Sequence, residues 1–189
     1  SKQDEVQSPN YLLNLLIVCG IILSVWIGLF QFRTETHVLN ALRARQKSQW
    51  KSLIREVDKA NSTFFPLDHT ATPLLWYRGV ANFSLDNMDT AFRDFQSAYQ
   101  DNPNHVHVLN NLATVYEMKG NHQEAIKLYS RAIEISPKFV DAIINLAAVQ
   151  YNLGHTSEAY ETIRKVDNNN NPKYLQYLDA IQKKIGTPP

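Results

Sequence analysis

The sequence predicts an all-α fold in which one long apolar helix is followed by a solenoid of stacked helix–turn–helix units. Three observations carry that prediction. Ala91, Ala125 and Ala159 recur at equal intervals of about 34 residues, and the positions around each alanine match as well. Residues Tyr11–Phe30 form a run of 20 without a charge. The remainder is punctuated by Gly, Pro, Thr and Asn at helix-length intervals.

Residues 1–10 are a polar flank in which Lys2 stands against Asp4 and Glu5. Residues 11–32 follow as a transmembrane helix, because about twenty residues rising 1.5 Å each span the ~30 Å hydrocarbon core of a bilayer. A cleaved leader fits poorly. The apolar run is too long, its flank is not basic, and no small-x-small cleavage pattern precedes Arg33. A buried helix of a soluble domain would need more protein than the chain supplies to cover a helix apolar on every face. Tyr11 and Trp26 read as interfacial anchors. Gly20, Ser24 and Gly28 place small residues on one face, where a second membrane helix, including that of another copy, can approach closely; alternatively, Gly and Ser are simply common in such helices. Only Lys2 precedes the span, whereas Arg33, Arg43, Arg45 and Lys47 follow it, so the positive-inside rule predicts that the repeats face the cytoplasm.

Residues 33–67 read as a degenerate copy of the repeat or as plain amphipathic linker helices. Trp50, Leu53, Val57 and Ala60 fall at the offsets of a unit's second helix, with His37 to Lys47 as its first and Pro66 closing it. The interval from Ala60 to Ala98 exceeds the repeat spacing by about four residues, so the connector Ser62 to Thr72 holds an insertion. Three clear units come next, at 72–105, 106–139 and 140–173. In each, small residues recur where two helices cross with their backbones close, and a bulky residue four positions after the second small one plugs the next helix. Thr72 with Pro73 is a predicted N-cap and first-turn proline, Asn121 with Glu124 a capping box, and Thr156 the start of a helix. Gly120 and Gly154 occupy turns that call for a left-handed backbone. Beyond the asparagine run Asn168–Asn171, residues 174–186 form a capping helix: Leu175, Leu178, Ile181 and Ile185 share a face, with Gln176, Asp179, Gln182, Lys183 and Lys184 opposite.

The second unit sets out Leu112, Ala113, Tyr116, Gly120, Ala125, Tyr129, Ala132 and Pro137 in an order that resembles the tetratricopeptide repeat, a helix–turn–helix unit with a period of about 34 residues. The first unit follows with Gly79, Ala91, Phe95, Ala98 and Pro103, and departs at Arg78 and Asn82, where leucine and an aromatic are usual. The third follows with Leu146, Ala147, Gly154, Ala159, Ile163 and Val166, and has Asn171 then Pro172 where the closing proline is expected. This resemblance implies a concave groove lined by the first helix of each unit. Carried over by position, the lining is Pro73, Trp76, Tyr77, Val80 and Phe83, then His107, Asn110, Asn111, Thr114 and Glu117, then Asp141, Ile144, Asn145, Ala148 and Tyr151. Asn111 and Asn145 hold equivalent positions, so their amides either hydrogen-bond an extended peptide or bridge neighbouring helices. Family members that clamp the terminal carboxylate of heat-shock chaperones use paired Lys and Arg on these helices. Here those positions hold Trp76, Val80, His107, Asp141 and Asn145, and that role is not supported.

Net charge is +1 and no polybasic or acidic tail points to nucleic acid. The single cysteine, Cys19, lies in the apolar run, so it says nothing of compartment. No phosphate loop, nucleophile elbow or zinc spacing is present. His105, His107, His122 and His155 read as surface residues rather than metal ligands. Asn61-Ser62-Thr63 and Asn82-Phe83-Ser84 match the glycosylation acceptor pattern, which is too short to carry weight. The expected function is therefore non-catalytic and without cofactor or metal: a membrane-anchored scaffold whose groove binds a protein or peptide partner. The alternative is that an initial Ser in place of Met marks a piece of a longer polytopic protein. A last membrane helix running into such repeats is similar in arrangement to the C-terminal region of bacterial O-antigen ligase or polymerase-like glycosyltransferases. That resemblance implies a bacterial inner membrane and the cell envelope.

Overall fold

The computed structural model describes residues 10–61, 66–166 and 170–186. Among these residues there are nine helices and no strand: α1 (Tyr11–Gln46), α2 (Trp50–Ala60), α3 (Leu74–Ser84), α4 (Met88–Asp101), α5 (Val106–Met118), α6 (His122–Ile135), α7 (Val140–Asn152), α8 (Thr156–Ile163) and α9 (Pro172–Ile185). The flank before Asn10, Ser62 and Thr63 of the first glycosylation pattern, and Asn168 and Asn169 of the asparagine run lie outside the described residues.

The first difference from the sequence reading is α1. A boundary between residues 32 and 33 was expected, yet one 36-residue helix runs through it. From Leu29 to Gln46 there is no Gly or Pro, so nothing in the chain stops the helix. Its apolar part is long enough to cross a membrane, with a mean hydropathy of 2.5 over 18 residues, none of them buried. Its other end is a packed helix: Thr34, Val38, Ala41 and Ala44 are buried, and α2 doubles back on it with Leu53, Val57 and Ala60.

Four turns join the paired helices, and each contains one left-handed residue: Ser48 (φ 52), Asp86 (φ 61), Gly120 (φ 78) and Gly154 (φ 86). The last three keep the spacing of the buried alanines, and the first stands off by the same stretched interval that separates Ala60 from Ala98. Gly120 and Gly154 behave as expected. Asp86 does the same work in the first unit, since aspartate tolerates this region better than most L-residues.

Small residues do sit at the helix crossings. Ala91, Ala98, Ala113, Ala125, Ala132, Ala147 and Ala159 are fully buried. Gly79 marks a crossing with no room for a side chain, because a Cβ there would stand 2.6 Å from the Phe95 ring. Helix starts required more correction. Pro73, not Thr72, is the N-cap of α3. Thr72 instead belongs to a loop organised by Asp68, whose Oδ1 accepts from the backbone N–H of Thr70 (2.8 Å) and of Thr72 (2.9 Å). Asn121 does accept from Glu124 N–H, at 3.5 Å. No reciprocal bond forms: the Asn121 N–H goes to the Tyr116 carbonyl, and Glu124 pairs with Lys127. Asn171 caps α9 through Lys173 N–H with Pro172 in the first turn, which explains the displaced proline of the third unit. Tyr174 and Ile181 of α9 are buried with Ile143, Ile144, Ala147, Ala159, Ile163 and Val166, so α9 covers the last repeat.

Candidate functional site

The second half of α1 together with α3, α5, α7 and α9 supplies the inner row of helices, and α2, α4, α6 and α8 the outer row. The ends of the inner face are occupied by the chain itself. At the N-terminal end, Trp76 is buried (5 % exposed) and Tyr77 nearly as deeply. The guanidinium of Arg45, from α1, lies 4.8 Å from the Trp76 ring centre and 5.7 Å from that of Tyr77, within reach of the ring quadrupoles. The Tyr77 hydroxyl donates to Asp68 at 2.7 Å. Burial, with the Asp68 carboxylate beside it, pushes the Tyr77 phenol up to about 12.

Next to Trp76 stand two imidazoles, with ring centres 6.0 Å (His105) and 5.7 Å (His107) away. His107 meets the edge of Phe139 at 5.0 Å. The Nδ1 of His105 accepts from Val108 N–H and so caps α5, which leaves Nε2–H to donate to Thr72 Oγ1 at 3.2 Å. Burial lowers the pKa of His105, and His107 adds to it. Burial lowers that of His107 too, only partly opposed by Asp141.

In the middle lies a row of amides. Asn145 donates to Asn110 Oδ1 at 3.0 Å, Asn110 donates to Asn111 Oδ1 at 3.2 Å, and Lys173 of α9 donates to Asn145 Oδ1 at 2.7 Å. Asn111 and Asn145 are thus linked through Asn110, which is turned between α5 and α7 and is buried. The Thr114 hydroxyl is held between the Asn110 carbonyl (3.0 Å) and the Tyr129 hydroxyl (2.9 Å). Tyr129 in turn donates to Glu117.

At the C-terminal end, Ile144 and Ala148 are each 2 % exposed. They are interior residues, not an open lining, and Ile144 belongs to the cluster beneath α9. Tyr151 is half-buried, with Tyr177 edge-on at 6.1 Å and the Lys184 ammonium 5.0 Å over its ring. The structure therefore keeps Val80, Phe83, His107, Asn111, Asn145 and Tyr151 at least partly accessible on the inner face, and withdraws Trp76, Tyr77, Asn110, Ile144 and Ala148 from it.

Two residues of this face were missed. Lys173 closes the third unit, past the helix positions from which the lining was carried over, and Arg45 had served only as a topological charge. Stepping back from Phe83 by the interval that separates Ala60 from Ala98 lands on Arg45, so the shifted repeat register was a usable signal. On the apolar half of α1, the positions where Cβ atoms would stand at Gly20 and Gly28 are open, and Ser24 donates to the Gly20 carbonyl at 2.8 Å. No group of three or more His, Cys, Asp or Glu is placed to hold a metal among the described residues.

Two family models, each described as tetratricopeptide repeat, match residues 70–138 and 118–182. The peroxisomal targeting signal receptor of Candida glabrata is 35 % identical over 83 residues, which cover 44 % of this chain and 14 % of the receptor. The crystal structure of MamA aligns with a TM-score of 0.61 at 21 % identity, covering 79 % of this chain and 81 % of that one. The first repeat domain of Spaghetti (RPAP3), bound to the HSP90 peptide SRMEEVD, aligns with a TM-score of 0.58 at 18 % identity, covering 65 % of this chain and 99 % of that one. At these identities the structural matches speak for the fold.

Proposed function

Residues 70–182 of this chain are tetratricopeptide repeats, and from that premise we propose that the chain is a membrane-tethered, non-catalytic scaffold that holds an extended segment of a partner protein along α3, α5 and α7. The observation that carries this reading is the pair of partly accessible amides Asn111 and Asn145, linked through the buried Asn110. It is flanked by the half-buried Val80, Phe83 and Tyr151. A side-chain amide offers donor and acceptor together, which is what a peptide backbone asks for, and the aromatic rings supply apolar contact area at little entropic cost. Two relatives support the choice of ligand class. One is named as a receptor for a targeting signal, and another holds an HSP90 peptide.

The tether rests on α1. A span with mean hydropathy 2.5 and no buried residue has no protein surface to satisfy it, and a bilayer does so. Tethering raises the effective concentration of the groove for partners at the same membrane. The basic residues after the span favour the cytoplasmic side for the repeats.

Photo-crosslinking tests the groove. With the full chain in its own membrane, benzoylphenylalanine at Phe83 or Met118 on the inner helices is expected to capture a partner, and the same probe at Arg93 on outer helix α4 is not. Equal capture from both faces, or none, removes the reading. Extraction of the membranes at alkaline pH is expected to leave the chain in the pellet; its release would remove the tether.

A further inference from the structure

We propose that the corner of the groove formed by Arg45, Trp76 and His107 is a carboxylate site that takes the side chain of an aspartate or glutamate in the bound segment. The inference rests on the scaffold reading above and adds a chemical requirement to it.

The primary observation is an orphan. Trp76 Nε1 is shut off from solvent and has no hydrogen-bond partner. An indole N–H can only donate, and buried donors are almost always paired. Around it stand Arg45, which can only donate, and the imidazoles of His105 and His107. Arg45 is exposed, and the described partners of its guanidinium are the Trp76 and Tyr77 rings, with no carboxylate among them. The first turn of α5 carries His107 to this corner, its ring 5.7 Å from that of Trp76.

The nearby acids do not fill the need. Asp68 is saturated by Thr70, Thr72 and Tyr77. Asp141, in the first turn of α7, acts on His107. The corner thus holds a cation with no carboxylate of the described residues against it and an unpaired indole N–H, beside the imidazole of His107. A neutral amide would satisfy the indole but leave the guanidinium without a counter-charge. A carboxylate that reaches the indole edge satisfies both, pairing with Arg45 and accepting from Nε1–H.

The test uses the full chain in detergent micelles and two blocked peptides, acetyl-Ala-Ala-Ala-Glu-Ala-Ala-Ala-amide and its Gln counterpart. The indole N–H resonance of Trp76 is assigned by its loss in Trp76→Phe. The Glu peptide is expected to move that resonance and the Gln peptide to move it at least about fivefold less effectively. Arg45→Gln is expected to weaken the Glu peptide about tenfold without moving the thermal midpoint, with His107→Asn as a second variant should Arg45→Gln alter the fold. Equal response to both peptides, or indifference to both substitutions, overturns the site. If the Asn111 and Asn145 amide signals move while Trp76 does not, the carboxylate site fails and the scaffold reading stands. If no signal moves up to about 20 mM, a concentration that would reveal even very weak binding, both fall.

Discussion

Asp94 is 3 % exposed, and it is answered from α3 by the two residues that depart from the repeat pattern. Arg78 donates to it through Nε and Nη2, and Asn82 through Nδ2 at 2.9 Å; Arg78 also reaches Asp58. These pairings hold the Arg78 pKa above its ordinary value. The third repeat solves the same place with Gln150 and Thr162, 2.8 Å apart. The second uses Tyr116 and Leu128, which border one cleft. Positions 82, 116 and 150 recur at the repeat spacing, as do 94, 128 and 162, so the pair changes together from polar to apolar and back. Arg78 and Asn82 were legible as departures. Asp94 as their answer was not, because periodicity fixes where residues face but not which polar group meets which. Asp94→Leu alone is expected to destabilise the chain by about 2 kcal/mol in urea unfolding, less than a fully buried pair because Arg78 is partly solvated. The triple variant Arg78→Leu, Asn82→Tyr, Asp94→Leu, which imports the second repeat's solution, is expected to recover most of it. Equal loss in both would mean that the site cannot repack. Gly79→Ala is expected to cost about 1–3 kcal/mol by driving Cβ into Phe95. Combining it with Phe95→Leu should return part of that loss; a neutral Gly79→Ala would show that the ring moves aside freely.

At the scale of elements, helices in the clear repeats were legible because apolar spacing and turn glycines agree there. Starts were less so. Thr72-Pro73 has the composition of a cap, but the Thr72 hydroxyl is engaged by Thr70 and His105 instead. His105 gave no cap signal, since imidazole is rarely one, yet its Nδ1 holds the start of α5. That role has a pH dependence. The pKa of His105 is lowered in the folded chain, so the unfolded state binds more protons once the pH falls below the ordinary histidine value of about 6.5. Stability is therefore full above that value and falls as the pH drops toward 5. His105→Asn keeps a capping acceptor and removes the titration, so its thermal midpoint should decline less over this window. An unchanged decline would assign the effect elsewhere. Glu56, lowered by its bond from His37, and Asp68, lowered by the bonds from Thr70, Tyr77 and Thr72 that outweigh its burial, act only at lower pH.

For the whole molecule, the resemblance implied a concave groove lined by the first helix of each unit, and the two flanking helices shorten it. Arg45 of α1 covers Trp76, and Lys173 and Lys184 of α9 reach Asn145 and Tyr151. Both flanking helices lie at the edges of the clear pattern: Arg45 is marked only by the shifted register of the degenerate copy, and Lys184 by none. The union of span and first packed helix in α1 has a further consequence in the tethered arrangement proposed above. Without a joint, the solenoid holds one compass bearing about the membrane normal. Each residue inserted after Gln31 turns that bearing by about 100° and lifts the solenoid about 1.5 Å. One or two inserted alanines are thus expected to swing the groove away from a partner in the same bilayer, and four to bring it back to within about 40°. Crosslinking from Phe83 should rise and fall with insert length in step with the helical period; a steady decline would mean that α1 acts as a cord, with no bearing to keep.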